Sequence, residues 1–226
     1  MILLLAAALA AAACPTGTGT EALICRAIEA SSAGRSEQSA LAFEAAAAAT
    51  PAADPARARM LAAAGNMWIA AGQPGKAAMA LDRAVAGTAL QTEQRGEAQL
   101  DRARAAEAQG DLKTARARLT DALTTISADP FAWYFSAALA IRENDPATAQ
   151  KAIDRALVLA PGDPTILFEA GHVADLAGDK AKARGYWTRA VAADPAGPSG
   201  KAARKALELL GVQPQVKSPA GEKPGR

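Results

Sequence analysis

The sequence predicts an all-α protein made of about five helix-turn-helix repeats and a C-terminal capping helix. Half of its residues are apolar, yet only 4% are aromatic. Alanine, which has the highest helix propensity, is abundant along the whole chain. Runs rich in Val, Ile and Thr, which are typical of strands, are absent. Turn, small and apolar residues also recur at a fixed spacing, which indicates an internal repeat.

Residues 1–13 are uncharged and open with the apolar run Ile2 to Leu5. The run of about 12 apolar residues is shorter than the roughly 20 that a membrane span needs, and it fits the core of a secretory signal. Ala11 and Ala13 supply the small residues of a signal-peptidase site. No Lys or Arg precedes the run, so an uncleaved apolar first helix stays open as the alternative.

Two cysteines follow this segment. Cys14 resembles the lipidated cysteine of a bacterial lipoprotein box, although Ala11 stands where Leu is usual. In an oxidising compartment Cys14 and Cys25 could instead form a disulfide that joins the flexible leader, residues 14–19, to the first helix. Cys25 equally fits a small apolar residue on a helix face. The two cysteines are not spaced as CxxC, so we expect neither redox catalysis nor a metal site.

Three series of residues recur in register along the rest of the chain. The first is Gly or Asn at the end of a predicted helix: Gly34, Gly72, Gly110, Asn144 and Gly178. A small residue follows five positions later: Ser39, Ala77, Ala115, Ala149 and Ala183. An alanine follows seven positions after that: Ala46, Ala84, Ala122, Ala156 and Ala190. Each series steps by 38, 38, 34 and 34 residues. Because four residues are close to one helical turn, the longer steps predict longer helices.

Each series has a structural reason. Gly and Asn tolerate the left-handed conformation that ends a helix. Small residues allow two helices to cross closely. Between the second and third series, a bulky apolar residue is expected to fill the core: Phe43, Leu81, Leu119, Ile153 and Trp187. Pro51, Pro161 and Pro195 end the second helix of their repeats.

This pattern resembles the tetratricopeptide repeat. The second repeat carries the family's residues most clearly, as Leu61, Ala64, Gly65, Trp68 and Gly72. The fifth carries Leu167, Ala170, Gly171, Gly178, Ala183, Trp187, Ala190 and Pro195. The first is the most degenerate, with Arg26-Ala27 where the family has Leu-Gly. The resemblance implies a right-handed superhelical solenoid whose first helices line a concave, peptide-binding groove.

The repeats are expected at 20–53, 58–91, 96–129, 130–163 and 164–197. A capping helix should follow at 198–211, with its apolar stripe at Ala202, Ala203, Ala206, Leu207 and Leu210. Gly211 is expected to end this helix. Residues 212–226 are rich in proline and should be disordered.

The register of the repeats places nine candidate binding residues on the concave face. They are Arg59, Asn66, Leu100, Arg104, Phe131, Tyr134, Phe135, Phe168 and His172. Those from Phe131 onward form an aromatic stripe at helical spacing, and Arg59, Asn66 and Arg104 would add polar contacts. The alternative is that Tyr134, Phe135 and Phe168 pack between repeats. The paired Lys and Asn residues with which some family members grip a C-terminal carboxylate are not found in register.

Several function classes are disfavoured. No nucleotide-binding, metalloprotease or nucleophile motif occurs, and His172 is the only histidine, so we expect no enzyme, metal or cofactor. The net charge is +2 without a basic stripe, which argues against nucleic acid.

The leading hypothesis is a non-catalytic scaffold that binds a protein or an extended peptide in the bacterial cell envelope, periplasmic or secreted. Membrane attachment is expected only if Cys14 is lipidated or the N-terminal segment stays uncleaved. Two alternatives remain: a self-assembling structural subunit of an envelope complex, and an accessory protein that positions a substrate for an envelope enzyme.

Overall fold

The computed structural model describes residues 14–212, and all regular structure within them is helical. The predicted signal segment 1–13 and most of the predicted tail, residues 213–226, lie outside the described residues. The helices are α1 (Thr20–Ser32), α2 (Ser36–Ala49), α3 (Pro55–Ala70), α4 (Pro74–Val85), α5 (Thr92–Ala108), α6 (Leu112–Leu123), α7 (Pro130–Arg142), α8 (Pro146–Leu159), α9 (Pro164–Leu176), α10 (Lys180–Ala193) and α11 (Pro198–Val212). The predicted all-α class is confirmed.

Within each of the five helix pairs, the two helices are joined by the same type of tight turn. Its left-handed residue is the predicted one in every pair, at Gly34, Gly72, Gly110, Asn144 and Gly178. The residue after it donates its backbone N–H to a carbonyl in the last turn of the first helix, as Gln73 does to Trp68 at 2.9 Å. This bond is part of the Schellman motif, which satisfies carbonyl groups that the helix end leaves open.

Longer first helices account for most of the difference between the two longer repeat steps and the shorter ones. The first helices α3 and α5 have 16 and 17 residues, whereas α1, α7 and α9 have 13 each. The additional residues extend α3 and α5 at their N-termini, so these helices begin at Pro55 and Thr92, before the expected repeat starts at 58 and 96.

The described chain divides into two compact units, with the boundary between Ile126 and Ser127. Helices α1 to α6 form the N-terminal unit, whose core is built around Trp68, Leu81 and Leu61. The Trp68 indole N–H donates to Glu44 Oε1 at 3.1 Å, which satisfies the polar atom of a fully buried ring. Phe43 is only half-buried and packs at the side of this core.

Helices α7 to α11 form the C-terminal unit, and α11 closes its end. Ala203 is fully buried, and Ala206, Leu207 and Leu210 pack against the cluster that contains Trp187. The capping stripe is therefore in its predicted place. Gly211 does not end the helix as expected, because α11 continues to Val212.

Candidate functional site

A groove of about 490 Å³ lies in the N-terminal unit, where the first helices α1, α3 and α5 face it. Small side chains on α3 and α5 create the space, because Ala62, Ala63 and Ala98 line it without filling it. The larger lining residues that matter for binding are Ile28, Arg59, Asn66, Met67, Glu97 and Asp101. The groove thus combines an apolar wall with several polar side chains.

The polar part of the groove is organised by Asp101. One carboxylate oxygen of Asp101 accepts a hydrogen bond from Asn66 Nδ2 at 2.7 Å, and the other accepts from Arg104 Nη1 at 2.7 Å. Because Asp101 can only accept, the Asn66 amide must turn its nitrogen toward Asp101. The amide oxygen and the second N–H of Asn66 are left for another partner.

The apolar wall is formed by a side chain that is unusually exposed for its type. Ile28 on α1 keeps 55% of its surface accessible, and Met67 on α3 is half-buried at the edge of the core and also lines the groove. Arg59 is exposed on the same groove, and its guanidinium makes no ion pair or hydrogen bond with any residue in 14–212. An apolar surface beside unengaged polar groups is typical of binding surfaces.

The predicted residues of this unit divide between groove and core. Arg59 and Asn66 line the groove, and Arg104 reaches it through Asp101. Leu100 is 6% exposed and belongs to the core, which corrects its expected position on the concave face. Asp101, one residue further along α5, lines the groove where Leu100 was expected to do so. The spacing of three residues between Asp101 and Arg104 was the signal that could have indicated it.

The predicted aromatic stripe lies in the C-terminal unit and is only partly accessible. Phe131 is 40% exposed and its ring centroid lies 5.5 Å from that of Tyr134, which is half-buried. Phe168 and His172 form a second pair, with centroids 4.4 Å apart. Phe135 on α7 is buried, which corrects its expected place on the accessible concave face.

The N-terminal leader is joined to α1 by a disulfide between Cys14 and Cys25. A second contact supports the same arrangement, because Arg26 Nη2 donates to the carbonyl of Gly17 at 2.7 Å. Neither cysteine has a free thiol in this state.

Residues 14–212 contain no cluster of three or more His, Cys, Asp or Glu side chains placed to hold a metal ion. None of the helices in that range is both long and apolar enough for a membrane span.

The sequence matches no protein-family model, and no curated protein matches it in sequence. Solved structures do match the fold. YrrB, described as a TPR protein with an unusual peptide-binding site, aligns with a TM-score of 0.61 at 18% identity, covering 83% of this chain and 91% of YrrB. A tetratricopeptide repeat protein from Parabacteroides merdae aligns with a TM-score of 0.66 at 16% identity, covering 84% of this chain and 73% of that protein.

The chain has the tetratricopeptide-repeat fold. PilW, a type IV pilus biogenesis factor, shares this architecture with a TM-score of 0.69 at 17% identity, over 84% of this chain and 82% of PilW. At these identities the likeness is one of fold, and it confirms the fold that the repeat pattern predicted.

Proposed function

We propose that this tetratricopeptide-repeat protein is a non-catalytic scaffold that binds an extended segment of a partner protein in the groove between α1, α3 and α5. The observation that supports this most is the oriented amide of Asn66, which donates to Asp101 at 2.7 Å and lines the same groove as the exposed side chain of Ile28. Arg104 donates to the other oxygen of Asp101 at 2.7 Å and so holds that carboxylate in place. A fixed amide next to an uncovered apolar side chain is suited to a peptide backbone and the side chain that it carries.

The groove residues with unused hydrogen-bonding groups or exposed apolar surface indicate which contacts a bound segment would make. The Asn66 amide oxygen would accept a backbone N–H of the segment, and its second N–H would donate to a backbone carbonyl. An apolar side chain of the segment would cover Ile28 and Met67, removing their surface from water. Arg59 would attract an acidic group of the partner to one part of the groove, and Glu97 a basic group to another.

An exported location is part of the proposal. The apolar segment 1–13 has the character of a secretory signal, and the Cys14–Cys25 disulfide suits an oxidising compartment such as the periplasm or the exterior. Lipidation of Cys14 would compete with the disulfide, because both use the same sulfur. The proposal therefore takes the released, disulfide-bonded form as the functional one.

The test starts from a cross-linked pull-down out of the native host envelope, followed by mapping of the captured partner's segment as a synthetic peptide. Binding of that peptide is then measured by calorimetry for wild type, Asn66→Ala and Ile28→Glu. Loss of one or two hydrogen bonds from Asn66→Ala should weaken binding about five- to tenfold, and Ile28→Glu should weaken it further.

A matched control is Gln38→Ala, which removes an exposed amide from α2, away from the groove lining. Its affinity should equal that of wild type. Equal affinity of all four proteins for the mapped peptide would place the binding site elsewhere and refute the groove.

A further inference from the structure

Glu169 on α9 is an acidic side chain in an unusually covered position. The residue is 8% exposed, and the one basic group within 4 Å of its carboxylate in residues 14–212 is the imidazole of His172, whose Nδ1 lies 3.8 Å from Glu169 Oε2. That distance is too long for a hydrogen bond. No buried side-chain oxygen of the described residues lacks a partner, so the Glu169 oxygens must still reach the surface. Glu169 therefore keeps a small part of its carboxylate accessible, with 11% of its side chain exposed.

Comparison with the third repeat shows which hydrogen-bond donor the Glu169 carboxylate lacks. Two steps of 34 residues separate Glu169 from Asp101, and the same steps separate His172 from Arg104. The pairs Asp101–Arg104 and Glu169–His172 are thus equivalent acid–base pairs of the third and fifth repeats. Asp101 has two donors within 2.7 Å, one from its own helix and one from the preceding repeat.

The donor from the preceding repeat has no counterpart for Glu169. Asn66 supplies it to Asp101, and the position equivalent to Asn66 in the fourth repeat is Ala138. An alanine side chain cannot donate a hydrogen bond. A largely buried carboxylate that receives no hydrogen bond from the protein has lost part of its hydration, and a charged donor is the group that compensates this loss best.

The surroundings of Glu169 suit a cation. Phe168 and His172 lie with ring centroids 4.4 Å apart beside it, and aromatic faces attract ammonium and guanidinium groups. Lys180, the first residue of α10, is paired with Asp175 at 2.7 Å. The negative charge at this site is therefore left for a partner.

We infer that Glu169 is the anchor of a second binding site, which takes a lysine or arginine side chain from an extended segment of a partner protein. The cation would donate to the open Glu169 oxygens and lie against the Phe168 and His172 rings. This site belongs to the C-terminal unit and does not depend on the groove at Asn66.

The experiment is an NMR titration of the full chain with acetylated, amidated peptides of sequence Ser-Ala-Leu-Xaa-Leu-Ala-Ser, where Xaa is Lys, Arg, Gln or Glu. His172 is the only histidine, so its imidazole signals report on this site without ambiguity. The Lys and Arg peptides should shift these signals saturably, and the Gln and Glu peptides should not. Glu169→Gln should weaken the binding of the Lys and Arg peptides by about tenfold or more, because it removes a charged hydrogen-bond acceptor.

Two further variants sharpen the result. Ala138→Asn restores the donor that Asn66 provides to Asp101, and it should weaken binding while Glu169 stays in place. Glu208→Gln removes an exposed carboxylate of α11 with the same change in net charge, and it should bind like wild type. Helical content of each variant is checked by circular dichroism.

Equal binding of the Gln and Lys peptides, no shift of His172 with any peptide, or unchanged affinity in Glu169→Gln would overturn the inference. Asn66→Ala should leave this titration unaltered, so failure here and failure of the groove are told apart.

Discussion

At the scale of single residues, two glycines allow close contacts between the helices of a pair. A Cβ atom at Gly65 would overlap the side chain of Leu81, and one at Gly171 would overlap the indole of Trp187. Both glycines lie on first helices, and both bulky partners lie at the same position of the second helix. The glycine and its partner therefore form one packing unit, in which the missing methyl group makes room for the larger side chain.

Gly171→Ala should lower the free energy of unfolding by about 1–3 kcal/mol, because the added methyl group overpacks the Trp187 contact. The measurement is urea unfolding followed by circular dichroism. Gly185→Ala on α10 is the matched control, since a Cβ there meets no atom within 4 Å. It should raise stability by about 0.5–1 kcal/mol through helix propensity. A stable Gly171→Ala would show that the two helices can separate without loss.

At the scale of helices, aspartates act as N-caps at most of the helix starts. Asp54, Asp111, Asp129, Asp145, Asp163 and Asp179 each accept a hydrogen bond from a backbone N–H in the first turn. Their carboxylates satisfy backbone N–H groups that the helix start leaves open. This is how turn residues also determine where the next helix begins.

Asp111 gives this capping a measurable pH dependence. Hydrogen bonds from the Thr114 side chain, and then from its backbone N–H at 3.0 Å, hold the pKa of Asp111 below its ordinary value of 3.8. A lowered pKa means that the carboxylate stabilises the folded state above about pH 4, and that this contribution is lost as the pH falls through the folded-state value.

Asp111→Asn cannot titrate at this position, so its Tm should differ from that of wild type by a constant amount near neutral pH. The difference should shrink as the pH is lowered from about 5 to about 3. Thermal melting across this range checks the expectation, and Asp121→Asn, an exposed position of the same helix, controls for net charge. A difference that does not depend on pH would contradict the assignment of the cap.

At the scale of the whole molecule, two units carry two different kinds of surface. The N-terminal unit has a groove with an oriented amide, and the C-terminal unit has a covered carboxylate beside aromatic rings. Both arise from the same pair of repeat positions, occupied by Asp101 and Arg104 in one unit and by Glu169 and His172 in the other. A repeat protein can thus diversify its binding surface by changing one neighbour, as Asn66 and Ala138 do here.

The disulfide between Cys14 and Cys25 leads to a prediction that can be tested on the full chain. Protein purified from an oxidising compartment should have no reactive thiol when it is unfolded without reductant. After reduction, both of its cysteines should react with a thiol reagent. The variant with both cysteines changed to Ser should lose about 2–3 kcal/mol of stability, as expected for closing a loop with a sequence separation of 11 residues. Two free thiols in periplasmic protein without reductant would rule out the bond.

Much of the fold was predictable because its determinants are local. Each turn residue with a left-handed backbone, from Gly34 to Gly178, is recognisable by residue type and spacing alone. The small residues that follow these turns are buried at 0–1% exposure, as the pattern indicated. Helix starts were less predictable, because the extra turns of α3 and α5 could be placed at either end of the longer repeats.

The sequence by itself determined the helical class, the number of repeats and the capping helix, since these depend on periodic residue types that act within one or two helices. Only the tertiary structure decided which side chains of a first helix face a groove. Leu100 and Asp101 are neighbours in sequence, yet one is buried and the other anchors the groove. The difference depends on Asn66, which is 35 residues away in sequence and comes within hydrogen-bond distance only when α3 and α5 pack side by side. The open carboxylate of Glu169 likewise results from what the neighbouring helix does not provide.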